Sequence, residues 1–107
     1  MVFADWIGQF TQVEVWDGLN ANVLTGKAGQ VGFFRATQDI LVPEHSHAGQ
    51  WGVVIEGTVE LTIGGKLHIL KTGEHYNIPA GVPHSAKVLA GTSFIDVWEG
   101  KRLQVNE

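Results

Sequence analysis

The chain has 107 residues, with seven Lys and Arg against eleven Asp and Glu and a formal net charge of −4. Nucleic-acid binders concentrate cationic side chains, so that class of partner is set aside. No cysteine is present, which removes disulfides, thiolate metal sites and thiol nucleophiles together and is compatible with a cytoplasmic protein. The length suits a single domain over residues 1–107. Met1–Ile7 has no basic stretch and includes Asp5, so no secretory signal is read there. No apolar run is long enough for a membrane span, and no membrane partner is expected.

Taken in order, Phe3, Trp6, Ile7 and Phe10 fit either helical spacing or an apolar arm, residues 1–11, lying at a dimer interface. Gln12–Trp16 alternates as a strand and stops at the Asp17-Gly18 turn. A second strand is expected at Asn22–Thr25, a third at Val31–Thr37, and Asp39–Val42 leads to Pro43. The run from Gln50 to Ile55 is apolar, Thr58–Ile63 alternates cleanly, and Gly64-Gly65 makes a two-residue hairpin turn to Lys66–Leu70. Tyr76–Ile78, Ser85–Leu89 and Ser93–Trp98 complete about ten short strands, followed by a charged tail from Glu99 to Glu107. With fourteen glycines, many β-branched residues and no convincing helix, this is an all-β sandwich or barrel.

Within that frame, His45 and His47 stand two apart before the apolar run. They are expected on one face of a strand, since strand side chains repeat with period two. His84 follows a Pro79-Ala80-Gly81 turn in a separate segment. Imidazoles drawn from separate segments are what a divalent metal requires. His75 reads as a rim or surface residue and His68 as solvent-facing. Asp96 alternates with Ile95 and Val97 and therefore faces the other way, together with Trp98. A carboxylate on an inward face either serves chemistry or needs a hydrogen-bonding partner. Trp98 is a cavity wall or a core residue. Arg35, sharing parity with Phe33 and Thr37, is a substrate-anion binder or an edge-strand charge. Trp51, Val53 and Ile55 form the opposite, packing face of their strand and suit a contact between subunits.

These segments resemble the cupin superfamily in its small form. The first motif is matched by His45, His47 and Gly57, and the second by Gly73, Pro79, Gly81 and His84 in the spacing G-x5-P-x-G-x2-H. The resemblance implies a double-stranded β-helix, or jelly-roll barrel, holding one divalent transition metal: Mn, Fe, Co, Ni or Zn. Where most cupins place a glutamate ligand, seven residues before the motif glycine, this chain has Gln50. The implied ligand set is therefore His45, His47, His84 and Gln50. Val88 stands where many members have asparagine.

A narrower resemblance is to pectin-degradation cupins of the KdgF type, which also use glutamine at the metal. Those proteins carry Asp, an aromatic two residues on and Arg four further, matched here by Asp96, Trp98 and Arg102. This resemblance implies ring opening of an unsaturated uronate toward its keto form. Asp96 would carry the proton, Arg102 or Arg35 would hold the carboxylate of a sugar-acid substrate, and Trp98 would wall the pocket. Read on its own, Arg102 is a solvated tail residue. The alternatives are a metal-dependent dioxygenase and a non-catalytic small-molecule binding or sensing module. Small cupins commonly pair, so a homodimer is expected.

Overall fold

The computed structural model describes residues 2–103. Ten strands follow one short 3-10 helix, Asp5–Gln9. In chain order they are β1 Thr11–Trp16, β2 Leu19–Thr25, β3 Gly29–Ala36, β4 Ile40–His45, β5 Gln50–Glu56, β6 Thr58–Ile63, β7 Lys66–Lys71, β8 His75–Ile78, β9 His84–Val88 and β10 Ser93–Glu99. They build a six-stranded sheet, ordered β1-β2-β3-β10-β5-β8, and a four-stranded sheet, ordered β4-β9-β6-β7. Each recorded strand pair is antiparallel. This is the double-stranded β-helix that the motifs implied.

Alternation makes the two faces. Along β3 burial switches at every residue, with Gln30, Gly32, Phe34 and Ala36 inside and Val31, Phe33 and Arg35 outside. The inward residues of the larger sheet, including Leu19, Val23, Phe34, Val54, Ile78 and Phe94, meet Ile40, Val59, Leu61, Leu70 and Val88 of the smaller one in a single apolar cluster. Phe34 stacks on Phe94 with centroids 4.8 Å apart and meets Trp98 edge-on at 5.6 Å. Buried side chains of this size stabilise the fold by about 2 kcal/mol each relative to leaving them in water. The β6–β7 hairpin turns through Gly64 and Gly65, both at positive φ (54° and 82°), a conformation that costs glycine nothing.

The N-terminal segment forms a 3-10 turn rather than a strand. Its 3-10 turn lies against its own sheet: Phe3 and Phe10 pack on the outer Phe33 ring, at 5.4 and 6.0 Å, and Asn22 Nδ2 donates to the Phe10 carbonyl. Trp6 is left largely exposed. Beside this cover, Leu24, Val31, Val97 and Trp51 stand in one cross-strand row on the outer face. β2 begins three residues earlier than expected, at Leu19, because the tight Asp17-Gly18 turn lets pairing resume at once. Of the expected charged tail, Gln104–Glu107 lie outside the described residues, while Leu103 folds back against the core.

Candidate metal and proton-transfer site

One end of the barrel opens into a cavity lined by residues of both sheets. The three histidines meet at that end. His45 is the last residue of β4, and β5 does not begin until Gln50, so His47 sits in the loop between them. The expectation that both stand on one strand face is corrected accordingly; the loop swings His47 round to face the others. His84 opens β9 directly opposite His45 in the strand register. Two backbone contacts tether the loop, Gly81 N–H to the His47 carbonyl (2.9 Å) and Glu99 N–H to the Gly49 carbonyl (2.9 Å). The first of these joins the two segments that supply the imidazoles.

Each ring is oriented by a carbonyl of its own segment. His45 Nδ1 lies 2.7 Å from the Pro43 oxygen, His47 Nδ1 2.7 Å from the Ala48 oxygen and His84 Nδ1 3.0 Å from the Val82 oxygen. A carbonyl can only accept, so in each case Nδ1 carries the hydrogen and Nε2 presents a lone pair. His47 and His84 Nε2 then stand 3.2 Å apart with lone pairs facing, an arrangement that suits a cation held between them. One ligating atom from each of the three histidines lies within 4.8 Å of the others. Burial is the main cause holding the pKa of both His47 and His84 below the ordinary value, with the positive Arg102 and neighbouring imidazoles adding to it. They therefore stay neutral, as ligands must be, to lower pH than a free histidine.

The second part of the site comes from the larger sheet. Asp96 on β10 points inward, is 5 % exposed, and lines the same cavity as the histidines. Tyr76 Oη donates to its Oδ1 at 2.5 Å, and Gln50 lines the cavity beside it. Burial raises the Asp96 pKa to about 6, while the neighbouring Tyr76 and Gln50 side chains act the other way by favouring the charged form. Tyr76 is pushed well above its usual range by burial and by the adjacent carboxylate, so it remains a donor.

This pairing depends on a glycine. Asp96 faces Gly52 across β10–β5, and Gly52 faces Tyr76 across β5–β8. A β-carbon at position 52 would overlap both the Asp96 carboxyl and the Tyr76 phenol. Neither Gly52 nor Tyr76 was singled out by the sequence reading. The one available signal was the glycine interrupting the alternation of an otherwise apolar strand.

The remaining candidates separate. Gln50 lines the cavity next to the histidines and Asp96, Trp98 forms part of the wall, and Arg102 stands exposed at the mouth. Arg35 is not brought to this cavity: its outward parity on β3 turns it to the far side of the sheet, where Nη2 donates to Asn22 Oδ1 at 2.8 Å. His75 is also outside, stacked on Trp51 with centroids 6.1 Å apart. His68 is half-buried on the parity of Leu70, so it does not stand free in solvent as expected. Away from its polar end the cavity is lined by Leu19, Phe34, Val42, Leu61, Val88 and other apolar groups.

The cupin domain family matches residues 35–98. Two curated proteins match short stretches: mannose-1-phosphate guanylyltransferase of Escherichia coli, 42% identical over 45 residues, and quercetin 2,3-dioxygenase of Bacillus subtilis, 39% identical over 44. Those stretches are 42% and 41% of this chain but only 10% and 13% of the relatives. Among solved structures, KdgF from Halomonas sp. superposes with a TM-score of 0.79 at 19% identity, covering 94% of this chain and 93% of that one. An RmlC-like cupin from Shewanella frigidimarina gives 0.80 at 22% identity, covering 89% and 87%. At these identities the likeness is one of fold.

Proposed function

The chain belongs to the cupin family, and on that premise we propose that it is a divalent-metal enzyme that moves a proton on a small carboxylated substrate, an unsaturated uronate being the leading candidate. The observation that carries the proposal is the buried Asp96, hydrogen-bonded by Tyr76 in the cavity that Gln50 and the three histidines border. His45, His47 and His84 would hold the metal through Nε2, with the Gln50 amide oxygen as a fourth, neutral ligand. When bound, the metal supplies Lewis-acid polarisation of substrate oxygens.

The protein supplies the rest. A carboxyl with a pKa near 6 is poised to take up and return a proton near neutral pH, where general acid–base catalysis is most effective. Tyr76 keeps the Asp96 carboxyl fixed in the cavity. Arg102 at the mouth offers a planar fork to a substrate carboxylate, and Trp98 walls the pocket. Loss of the conjugated absorbance of an unsaturated uronate, faster with metal-loaded protein than spontaneously and slowed at least tenfold in Asp96→Asn, is the expected result. A rate no greater than the spontaneous one removes the uronate reading.

A dioxygenase is the second reading, favoured by the apolar lining beyond the metal end, which suits a flat aromatic body better than a polyol. It requires oxygen consumption that depends on a redox-active metal, and activity sustained by Zn would remove it. The outer row of Leu24, Val31, Val97 and Trp51, next to the exposed Trp6, supports assembly as a homodimer through the larger sheet. The lack of cysteine is compatible with a cytoplasmic protein; no helix among the described residues is long and apolar enough to cross a membrane.

A further inference from the structure

After Glu99 the chain leaves β10, turns at Gly100, and runs back over the cavity mouth as far as Leu103. No strand pairing secures residues 101–103. Among the described residues, the hydrogen bonds that hold their backbone come from one side chain, Gln30, which lies 1 % exposed on the inward face of β3 opposite Trp98. Its Oε1 accepts from the Arg102 and Leu103 amides, both at 2.7 Å, and its Nε2 donates to the Leu103 carbonyl at 2.9 Å and to Thr25 Oγ1 at 3.1 Å. Both amide hydrogens and both oxygen lone pairs are used, which is the full capacity of the group. At the other inward, side-chain-bearing positions of β3 the barrel takes Phe34 and Ala36, and nothing in the packing of the core calls for an amide at this one. A buried amide is tolerated because it satisfies main-chain groups that no strand pairs.

We propose that Gln30 is a positioning residue: its amide fastens the segment 100–103 as a strap across the cavity mouth and so places the Arg102 guanidinium beside the histidines. Arg102 borders both the cavity and the groove just outside it formed by Trp16, Pro43, His45 and His47. With the strap released, Arg102 is a charge on an unfastened segment and the apolar Leu103 no longer closes the cavity. The carboxylate-reading role of Arg102 rests on the function proposed above; the strap itself does not.

The test therefore has two arms. Gln30→Met keeps the side-chain length and removes every hydrogen bond. In the metal-loaded protein, trypsin cleavage after Lys101 and Arg102 is expected to be at least tenfold faster in this variant than in the parent, with one bound metal retained. In the parent itself, the Arg102 and Leu103 amide hydrogens are expected to exchange at least a hundredfold more slowly than in a free peptide. Exchange at free-peptide rates, or unchanged cleavage in a folded Gln30→Met, overturns the strap.

In the second arm, galacturonate binding to the metal-loaded protein is compared with binding of galactose. The carboxylate preference is expected to fall about tenfold in Arg102→Gln, equally in Gln30→Met, and no further in the double variant. Losses that multiply in the double variant mean that Gln30 does not act through Arg102. A parent with no preference for galacturonate, but with the protected strap, sinks the uronate reading and keeps Gln30 as the clamp.

Discussion

The two halves of the site are built on opposite plans. Each histidine is aimed by a carbonyl one or two residues away in its own segment, and two of the three rings remain half-exposed. Asp96 is aimed by a partner on another strand, Tyr76 twenty residues distant, inside a space that exists only because position 52 has no side chain. The metal end is thus specified by short motifs, and the proton end by the register of three strands. A motif survives changes elsewhere in the sheet; a register-dependent contact does not.

The contrast is broken most sharply at Gly52. Gly52→Ala forces a methyl into the Asp96–Tyr76 contact, combining overpacking with an unpaired buried acid, and is expected to cost about 4 kcal/mol by urea denaturation. A loss below 1 kcal/mol would show that the pair is not tightly seated. His84→Ala is the complementary change. It should weaken metal binding at least about 100-fold by competition with a chelator while costing the metal-free protein much less than the glycine substitution does. Equal damage to metal-free stability would mean that the histidines, too, are core elements.

The acid adds a pH signature. Its folded pKa of about 6 lies above the ordinary carboxylate value of 3.8, so the native state holds the proton more tightly than the unfolded chain. Stability from this group is present below pH 4 and is lost as the pH rises through 6. The difference between metal-free parent and Asp96→Asn should change over that window by about 3 kcal/mol, and a difference that does not vary with pH would mean that Asp96 is solvated. Tyr76→Phe is the mildest variant, at about 1 kcal/mol. It removes a hydrogen bond that favours the ionised form, so the falling limb should move to higher pH, whereas a move to lower pH would show that the phenol is not the donor.

The same contrast explains what could be read from the chain alone. The strands, the Gly64-Gly65 turn and the histidine set are local patterns, and the alternation of Ile95, Asp96 and Val97 was enough to turn the carboxylate inward. Tyr76 looked like an ordinary strand residue because nothing in its neighbourhood announces a partner two strands away. Arg35 was given two readings by parity alone; only the sheet order puts its face outside, under the N-terminal cover. That cover was ambiguous because Phe3, Trp6, Ile7 and Phe10 fit several conformations, and the choice was made by a tertiary contact, Phe33.

The backbone bond from Gly81 to the His47 carbonyl links the two histidine-bearing segments through main-chain atoms alone. Coordination then has little chain entropy left to remove. Metal capture should be a single bimolecular event whose rate rises linearly with metal concentration, with no folding phase behind it. Loading should leave the overall dimensions and far-ultraviolet spectrum of the barrel unchanged, unlike small zinc modules, whose structure appears only with their ion.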